Sequence, residues 1–268
     1  GARPMVRALL PAHATRDTVV RLIAAALLLG AATVFTCAWF GAAPHALAPF
    51  ASQPTAPADA SPAMAAHFAS SDLEDFVHSA SITGLPGGDL MAAWFAGSRE
   101  GAADVQIRAA RFDAASGQWS GERVLATREA TQRAVGKHIR KLGNPVISLA
   151  PDNRLWLFYV SVSLGGWAGS AVNAMVSDDL GETWSAPRQL VTSPFLNIST
   201  LVRATPVFHS DGSIGLPVYH EFLGKFPEYL HLSAAGEVLG KYRIGKGRDS
   251  LQPTVVALDA RRAVALLR

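Results

Sequence analysis

The sequence predicts an all-β fold of repeated short-stranded units, a β-propeller, preceded by one membrane-spanning helix. Three observations carry this: a long uncharged apolar run near the N-terminus, four internal strand–turn–strand repeats from Ser79 onward, and the octapeptide Ser177-Asp178-Asp179-Leu180-Gly181-Glu182-Thr183-Trp184 inside one of them.

The chain has 268 residues, of which 49% are hydrophobic, enough for a sizeable core. Leu22 to Phe40 carries no charged side chain, and its length is close to the roughly 20 residues a helix needs to cross a bilayer. Arg3, Arg7, Arg16 and Arg21 lie at or before its start against a single acid, Asp17, and no Lys or Arg follows until Arg99. That one-sided charge is the positive-inside signature, placing the N-terminus in the cytoplasm and the rest outside. A cleaved signal peptide is the alternative. Its apolar region is typically about 7–15 residues, shorter than this run, and Pro49 directly after Ala46-Leu47-Ala48 disfavours cleavage there. The expected organisation is a basic cytoplasmic segment over 1–21, a signal-anchor helix over 22–43, an Ala/Pro-rich linker over 44–74 and a β-domain over 75–268. The protein would pass once through the inner (cytoplasmic) membrane, with the domain on the periplasmic side. The single cysteine, Cys37, lies in the apolar run, so the exported part must be stable by packing alone.

Repeats begin at Ser79, Asn144, Thr205 and Gln252, the last three reading Asn144-Pro145-Val146, Thr205-Pro206-Val207 and Gln252-Pro253-Thr254. Each runs through a short apolar strand and a turn into a second strand: Asp89–Phe95, Arg154–Val160, Ser213–Tyr219 and Arg262–Leu267. Short strands at this period, punctuated by Gly and Asp, are the pattern of four-stranded propeller blades. No segment has a long 3.6-residue periodicity, which argues against a helical or doubly wound fold.

The octapeptide fits Ser-x-Asp-x-Gly-x-Thr-Trp at every fixed position and has a degraded copy in Phe112–Ser120. Its logic is that of a hairpin between the two outer strands of a blade. Asp179 is suited to accept backbone N–H bonds across the turn, and Gly181 to supply a positive φ. Thr183 is expected to begin the next strand and Trp184 to pack into the core. The motif therefore marks the fold and not the chemistry. About four repeats are present, the last after one and a half strands, so an incomplete ring with exposed strand edges near Arg268 is expected.

With the octapeptide, the other segments that carry a likeness are Trp94-Phe95-Ala96-Gly97-Ser98-Arg99-Glu100-Gly101 with Asp104, Leu142-Gly143-Asn144-Pro145 and Leu251-Gln252-Pro253-Thr254. Over about Phe76 to Arg268 the sequence resembles the sialidase (neuraminidase) superfamily, in particular its bacterial Asp-box, BNR-repeat-like members. The resemblance implies a six-bladed propeller, here cut to about four blades. It also implies exo-acting release of a terminal acidic sugar from a glycan, with three carboxylate-binding arginines, an Asp acid/base and a Tyr nucleophile paired to a Glu. By that resemblance Asp104 is the acid/base and Arg268 the second arginine. His78 stands where the first arginine is expected. Gln252 occupies the place of the activating glutamate and cannot act as a base. The third arginine and the tyrosine would lie beyond residue 268.

The residues also speak for themselves. Glu100 and Asp104 are paired carboxylates on a Gly-flanked loop beside Arg99, an arrangement suited to a glycosidase acid with a tuning neighbour; the plain alternative is a solvated turn with an ion pair of little worth. Tyr219-His220-Glu221 ends an inner strand, and Arg203 is either an anion-binding group or paired on the rim. Arg128, Arg133, Lys137, His138, Arg140 and Lys141 form the densest basic stretch, read as a solvated loop or as a surface steering acidic polysaccharide. The candidate catalytic residues are Asp104 and Glu100; the candidate substrate contacts are Arg99, His78, Arg268, Gln252, Tyr219, Glu221 and Asn144. No cofactor is implied. His220-Glu221 lacks the second histidine of a zinc motif, and nucleic acid is not an expected partner. The partners are a glycan and, through one helix, the membrane. Two other readings stay open: a non-catalytic glycan-binding propeller, favoured by His78 and Gln252, and a glycosidase of the same fold acting on another sugar through Glu100 or Glu221.

Overall fold

The computed structural model of the chain describes residues 12–41, 45–52, 64–70, 75–193 and 196–268. Arg3, Arg7 and positions 53–63 and 71–74 of the expected linker lie outside them. The chain divides into two units, Gly1–Pro44 and His45–Arg268.

The first unit is the helix α1 (Ala12–Gly41). Its stretch Arg16–Cys37 is long and apolar enough to cross a membrane, as a span or as a signal sequence. The helix starts at Ala12, before the expected boundary at Leu22, because Arg16 and Arg21 are good helix formers and nothing before Leu22 breaks the turn.

The second unit is built from antiparallel sheets that follow one another along the chain. The first contains β1 (Phe76–Gly84), β2 (Leu90–Gly97), β3 (Gln106–Asp113) and β4 (Gln118–Trp119), with β5 (Arg123–Ala126) also paired to β3. A short helix, α2 (Arg128–Val135), leads to the second sheet: β6 (Lys141–Leu149), β7 (Leu155–Val162), β8 (Ser170–Ser177) and β9 (Arg188–Gln189). The third comprises β10 (Leu201–Val202), β11 (Val207–Phe208), β12 (Ile214–His220), β13 (Phe226–Leu232) and β14 (Val238–Arg243), with β10 and β11 sharing β12 as partner. The fourth is the hairpin β15 (Thr254–Ala257) and β16 (Ala263–Leu266). The four second strands read from the sequence are β2, β7, β12 and β16.

Strand β7 shows how the sheets are held together. All eight of its residues are buried, which explains a continuous apolar run where a half-exposed strand would alternate. Side chains of successive residues point to opposite faces. Leu155, Leu157 and Tyr159 pack with Met91, Phe95 and Ile107 of the first sheet, while Trp156, Phe158 and Val160 pack with Leu216 and Leu230 of the third. The second sheet is thus sandwiched between its chain neighbours. The first strands meet edge to edge. Ser81 and Thr83 of β1 accept the Ile147 and Leu149 amides of β6, both at 3.1 Å, which leaves less of that edge unpaired.

The octapeptide forms the β8–β9 turn. Asp179 accepts the Thr183 amide at 2.8 Å and its hydroxyl at 2.5 Å, and the Ser177 hydroxyl bonds the same carboxylate at 2.7 Å. Leu180 and Gly181 take positive φ values of 56° and 97°. Trp184 is half-buried and its ring nitrogen donates to Gly181 O. The strand begins at Arg188, not at the expected Thr183, because Thr183 is occupied in closing the turn. The turn docks on the first sheet: a Cβ at Gly181 would lie 2.8 Å from Met91 Sδ, and Arg123 donates to Gly181 O and Glu182 O. Gly181→Ala therefore meets both an unfavourable φ and a collision, and is expected to cost about 1–3 kcal/mol by chemical denaturation.

Those bonds hold the Asp179 carboxyl at about 2, below its ordinary 3.8, the Thr183 hydroxyl and amide being the main causes. A depressed folded-state pKa stabilises above the unfolded value, and the gain is lost as pH falls from about 4 towards 2. Acid unfolding followed by near-ultraviolet circular dichroism should therefore be steeper across that window in the wild type than in Asp179→Asn.

Two further segments differ from expectation. Within the linker, residues 45–51 are bound to the β-unit: Ala51 N donates to Phe208 O at 2.8 Å, Ser210 N to Pro49 O at 2.7 Å, and Phe50 stacks on His209. Leu47 and Phe50 supply the apolar contacts a bare tether lacks. The basic stretch read as a loop contains α2, capped by Thr127, whose side chain accepts the Ala130 amide, and ended by Gly136 at φ 65°. Thr131 anchors this helix through a buried 2.8 Å bond to the Tyr159 hydroxyl.

Candidate functional site

Strand β1 is irregular between His78 and Ser81, and β6 between Gly143 and Val146. At these irregularities Ser79 and Asn144 adopt left-handed φ values of 61° and 46°, and Gln252, just before β15, adopts 50°. These are three of the four repeat starts. A non-glycine residue held in that region costs of order 1–3 kcal/mol and persists where the surroundings enforce it, often at functional sites.

The side chains at these positions join into one polar chain. Ser79 Oγ donates to Asn144 Oδ1 at 3.2 Å, and Asn144 Nδ2 donates to the Tyr219 hydroxyl at 3.4 Å. The Gln252 side chain lies near enough to the same hydroxyl to lower its pKa. Arg268 Nη1 donates to Gln252 Oε1 at 3.2 Å, and the Arg268 backbone pairs with Leu251 in both directions. Each of the first three sheets thus contributes a group, and Gln252 and Arg268 flank the fourth hairpin. The register puts the chain at equivalent ends: Phe76 opposes Gly97, Lys141 opposes Val162 and Leu201 opposes Tyr219, so the starts of β1, β6 and β10 meet the ends of β2, β7 and β12.

Tyr219 is buried, and burial is the main reason its pKa is raised; the charge of Glu221 pushes the same way, against Gln252, Asn144 and Arg203. The phenol therefore stays protonated at neutral pH, as a hydrogen-bonding group and not a nucleophile. Glu221 is half-buried, and its amide is fixed by Ser199 Oγ at 2.8 Å. His78 is exposed and does not enter the chain; its ring sits edge-on to Phe95 with centroids 5.5 Å apart.

The loop between β2 and β3 holds Arg99, Glu100 and Asp104 at that same end of the first sheet. Its base is tight: a Cβ at Gly97 would lie 2.9 Å from Val105 Cα. Asp104 accepts the Ser98 amide and hydroxyl, both at 3.0 Å. These bonds, the amide first, hold its carboxyl below the usual range. Asp104 was read from the sequence as the acid/base; this geometry favours its carboxylate form in the free protein. Arg99 lines a different hollow, a cleft of about 340 Å³ shared with Arg128, His138, Arg140 and Lys141, and Glu100 is close enough to Lys141 for its charge to be felt there.

The structure thus unites Asn144, Tyr219, Gln252 and Arg268, with Glu221 and Arg203 beside them, and sets Arg99, Glu100, Asp104 and His78 apart from the chain. Ser79 was missed as a site residue although it opens the first repeat; its place in the repeat was the available signal. The grouping of Arg99 and Arg128 into one cleft had none, since the two belong to separate loops. Among the described residues no group of three or more His, Cys, Asp or Glu is placed to hold a metal ion.

Residues 88–268 match the family of BNR repeat-like domains. No curated protein matches the chain in sequence. Among solved structures it is similar to a protein of unknown function from Dyadobacter fermentans (TM-score 0.60, 11% identity, covering 74% of this chain and 64% of that one). It is likewise similar to the Hadza microbial sialidase Hz136 (0.57, 16%, 72% and 42%) and to Trypanosoma rangeli sialidase in complex with sialic acid (0.51, 12%, 72% and 34%). At these identities the likeness is one of fold, and the chain spans about a third to two thirds of the length of these proteins.

Proposed function

This chain belongs to the BNR repeat-like domain family, and from that premise we propose that its β-unit forms successive blades of a six-bladed propeller whose centre binds the terminal sugar of a glycan and hydrolyses its glycosidic bond. The observation that carries the reading is the polar chain from Ser79 to Arg268: neutral donors and acceptors from three consecutive sheets and the flank of the fourth hairpin, three on strained backbone, converge at one end with Arg203 and Arg268 for a negative group. Sugars are recognised by such arrays of amide and hydroxyl groups held in fixed positions.

In this proposal Asn144, Tyr219 and Gln252 orient the sugar ring, Arg268 and Arg203 face its acidic substituent, and His78 lies on the rim. Asp104 acts as acid/base. It is ionised in the free protein, so it serves as an acid only once substrate displaces the Ser98 donors and dries the loop, raising its pKa. Glu100 is the alternative carboxylate on that loop. The octapeptide is the Asp box, with a structural role. The apolar helix α1 anchors the protein in the inner membrane, with the propeller outside the cytoplasm.

Two observations favour a second reading, a glycan-binding propeller without turnover: the neutral Gln252 cannot serve as a base, and Asp104 is held by Ser98 in the charged form. A panel of fluorogenic glycosides offered to the intact protein, alongside a glycan-binding screen, separates the two. Hydrolysis is expected for an acidic terminal sugar and should be lost in Asp104→Asn. Binding with no turnover of any glycoside would select the second reading, and turnover that survives Asp104→Asn would remove Asp104 from the mechanism.

A further inference from the structure

A second cleft opens near the polar chain. Arg99 comes from the β2–β3 loop, Arg128 opens α2, and His138, Arg140 and Lys141 lead into β6, so three separate pieces of chain turn cationic groups into one hollow of about 340 Å³. That volume falls in the range of small-ligand sites, roughly 300–1,000 Å³. Arg99, Arg140 and Lys141 form no ion pair among the described residues, and Arg128 is paired only with its exposed neighbour Glu129, at 2.7 Å. Glu100 lies close to Lys141, and Asp104 close to Arg99. The cations of the cleft outnumber these carboxylates, so they repel one another, and a bound anion is the simplest relief.

The framework beneath these cations is rigid. α2 is tied to β7 by the Thr131–Tyr159 bond, and Gln132 Oε1 accepts the Ile139 amide at 3.1 Å. Ile139, between His138 and Arg140, is fully buried. Arg140 Nη1 donates to Gly165 O at 3.2 Å, and Lys141 Nζ stands 3.8 Å above the Trp167 ring. Trp167 in turn rests on Gly143, where a Cβ would lie 2.7 Å from the indole. Burial pushes the Lys141 pKa down, and Glu100 opposes this.

We propose that this cleft binds an oxyanion, a sulfate ester or carboxylate, carried by a second sugar of the glycan whose terminal sugar occupies the polar chain. The inference rests on the proposed glycan site and narrows its substrate to polyanionic glycans. Lys141 lies three residues before Asn144 on β6, and a strand rises about 3.3 Å per residue. The two sites are therefore about 10 Å apart along the strand, and the charged group is displaced from the terminal ring.

The test uses the intact protein and three probes that need no turnover: dextran sulfate, polygalacturonate and neutral dextran. Binding is expected for the two anionic polymers and not for dextran, with affinity falling as salt rises. The stronger of the two shows whether sulfate or carboxylate fits better. Arg140→Ser and Lys141→Gln should each weaken binding about tenfold, whereas Arg133→Ser, on α2 but outside the cleft, should leave it unchanged. Thermal melts confirm that the variants fold. Equal loss in all three variants would mean diffuse surface charge, and equal binding of neutral dextran would mean no anion site; either overturns the inference. Anion binding that depends on the cleft in a protein that turns over no glycoside would keep the inference and remove the hydrolase reading. Turnover of neutral glycosides unaffected by cleft variants would do the reverse.

Discussion

Tyr219→Phe is expected to lower glycan affinity about tenfold to a hundredfold while the protein remains folded. The hydroxyl is the middle of the polar chain: it accepts from Asn144 at 3.4 Å, and Gln252 lies beside it. Its removal leaves two half-buried amides facing each other without the group that orients them. Leaving a buried polar group unpartnered costs about 1–3 kcal/mol, and in the free protein water can enter to reduce that loss. With a sugar bound the water is displaced, so the larger part of the cost falls on the complex. Folding stability should change by no more than about 1.5 kcal/mol, the usual net contribution of one hydrogen bond. Isothermal titration and a denaturant melt on the same variant separate the two effects. A loss of stability matching the loss of affinity would mean that the hydroxyl holds the fold and not the ligand.

Trp156→Ala should have the largest effect on stability, about 3–5 kcal/mol. The indole is almost wholly buried in the core between the second and third sheets, and its plane stacks on Phe158 with centroids 5.7 Å apart. It also fills the space beside Gly236 in the turn between β13 and β14, where a Cβ would lie 2.7 Å from the ring. Among the described residues its ring nitrogen has no hydrogen-bond partner, so the cost is one of packing and cavity formation, with the loss of the Arg154 guanidinium 5.7 Å over the ring. Val256→Ala on the exposed fourth sheet serves as the contrast, expected within about 0.5 kcal/mol. Urea denaturation reads both as shifts of midpoint, with little change of slope.

The strands were legible because their signal is local. The run Leu155-Trp156-Leu157-Phe158-Tyr159-Val160 announces a strand covered on both faces, and Pro151-Asp152-Asn153 before it and Gly165-Gly166 after it mark the turns. The octapeptide was legible for the same reason, since Ser177, Asp179, Gly181 and Thr183 bond mainly one another. α2 was not, because eight residues hold too little periodicity to stand out and its anchor, Tyr159, lies 28 positions from Thr131. The start of β9 was placed too early because Thr183, a good strand former, is used by Asp179 to close the turn.

The site was legible in part. Asn144, Tyr219, Gln252 and Arg268 were named singly, from repeat position or resemblance, yet nothing local says that residues 75 positions apart share a hydrogen bond, as Asn144 and Tyr219 do. Ser79 gave a repeat start but no chemistry of its own. Asp104 was found by its loop, whereas its ionisation depends on the orientation of the Ser98 amide, which composition does not reveal. The cationic cleft is the extreme case, because its members come from a loop, a helix and a strand that meet only in the folded chain.

The central claim is that the polar chain is the sugar site, and Asn144→Gly tests it most directly. Glycine keeps the left-handed backbone at this position, so the amide is removed without adding strain. Isothermal titration with the glycan that binds best to the wild type is the decisive measurement. The account predicts an affinity at least about tenfold lower with an unchanged melting temperature. Full affinity in a folded Asn144→Gly protein would contradict it.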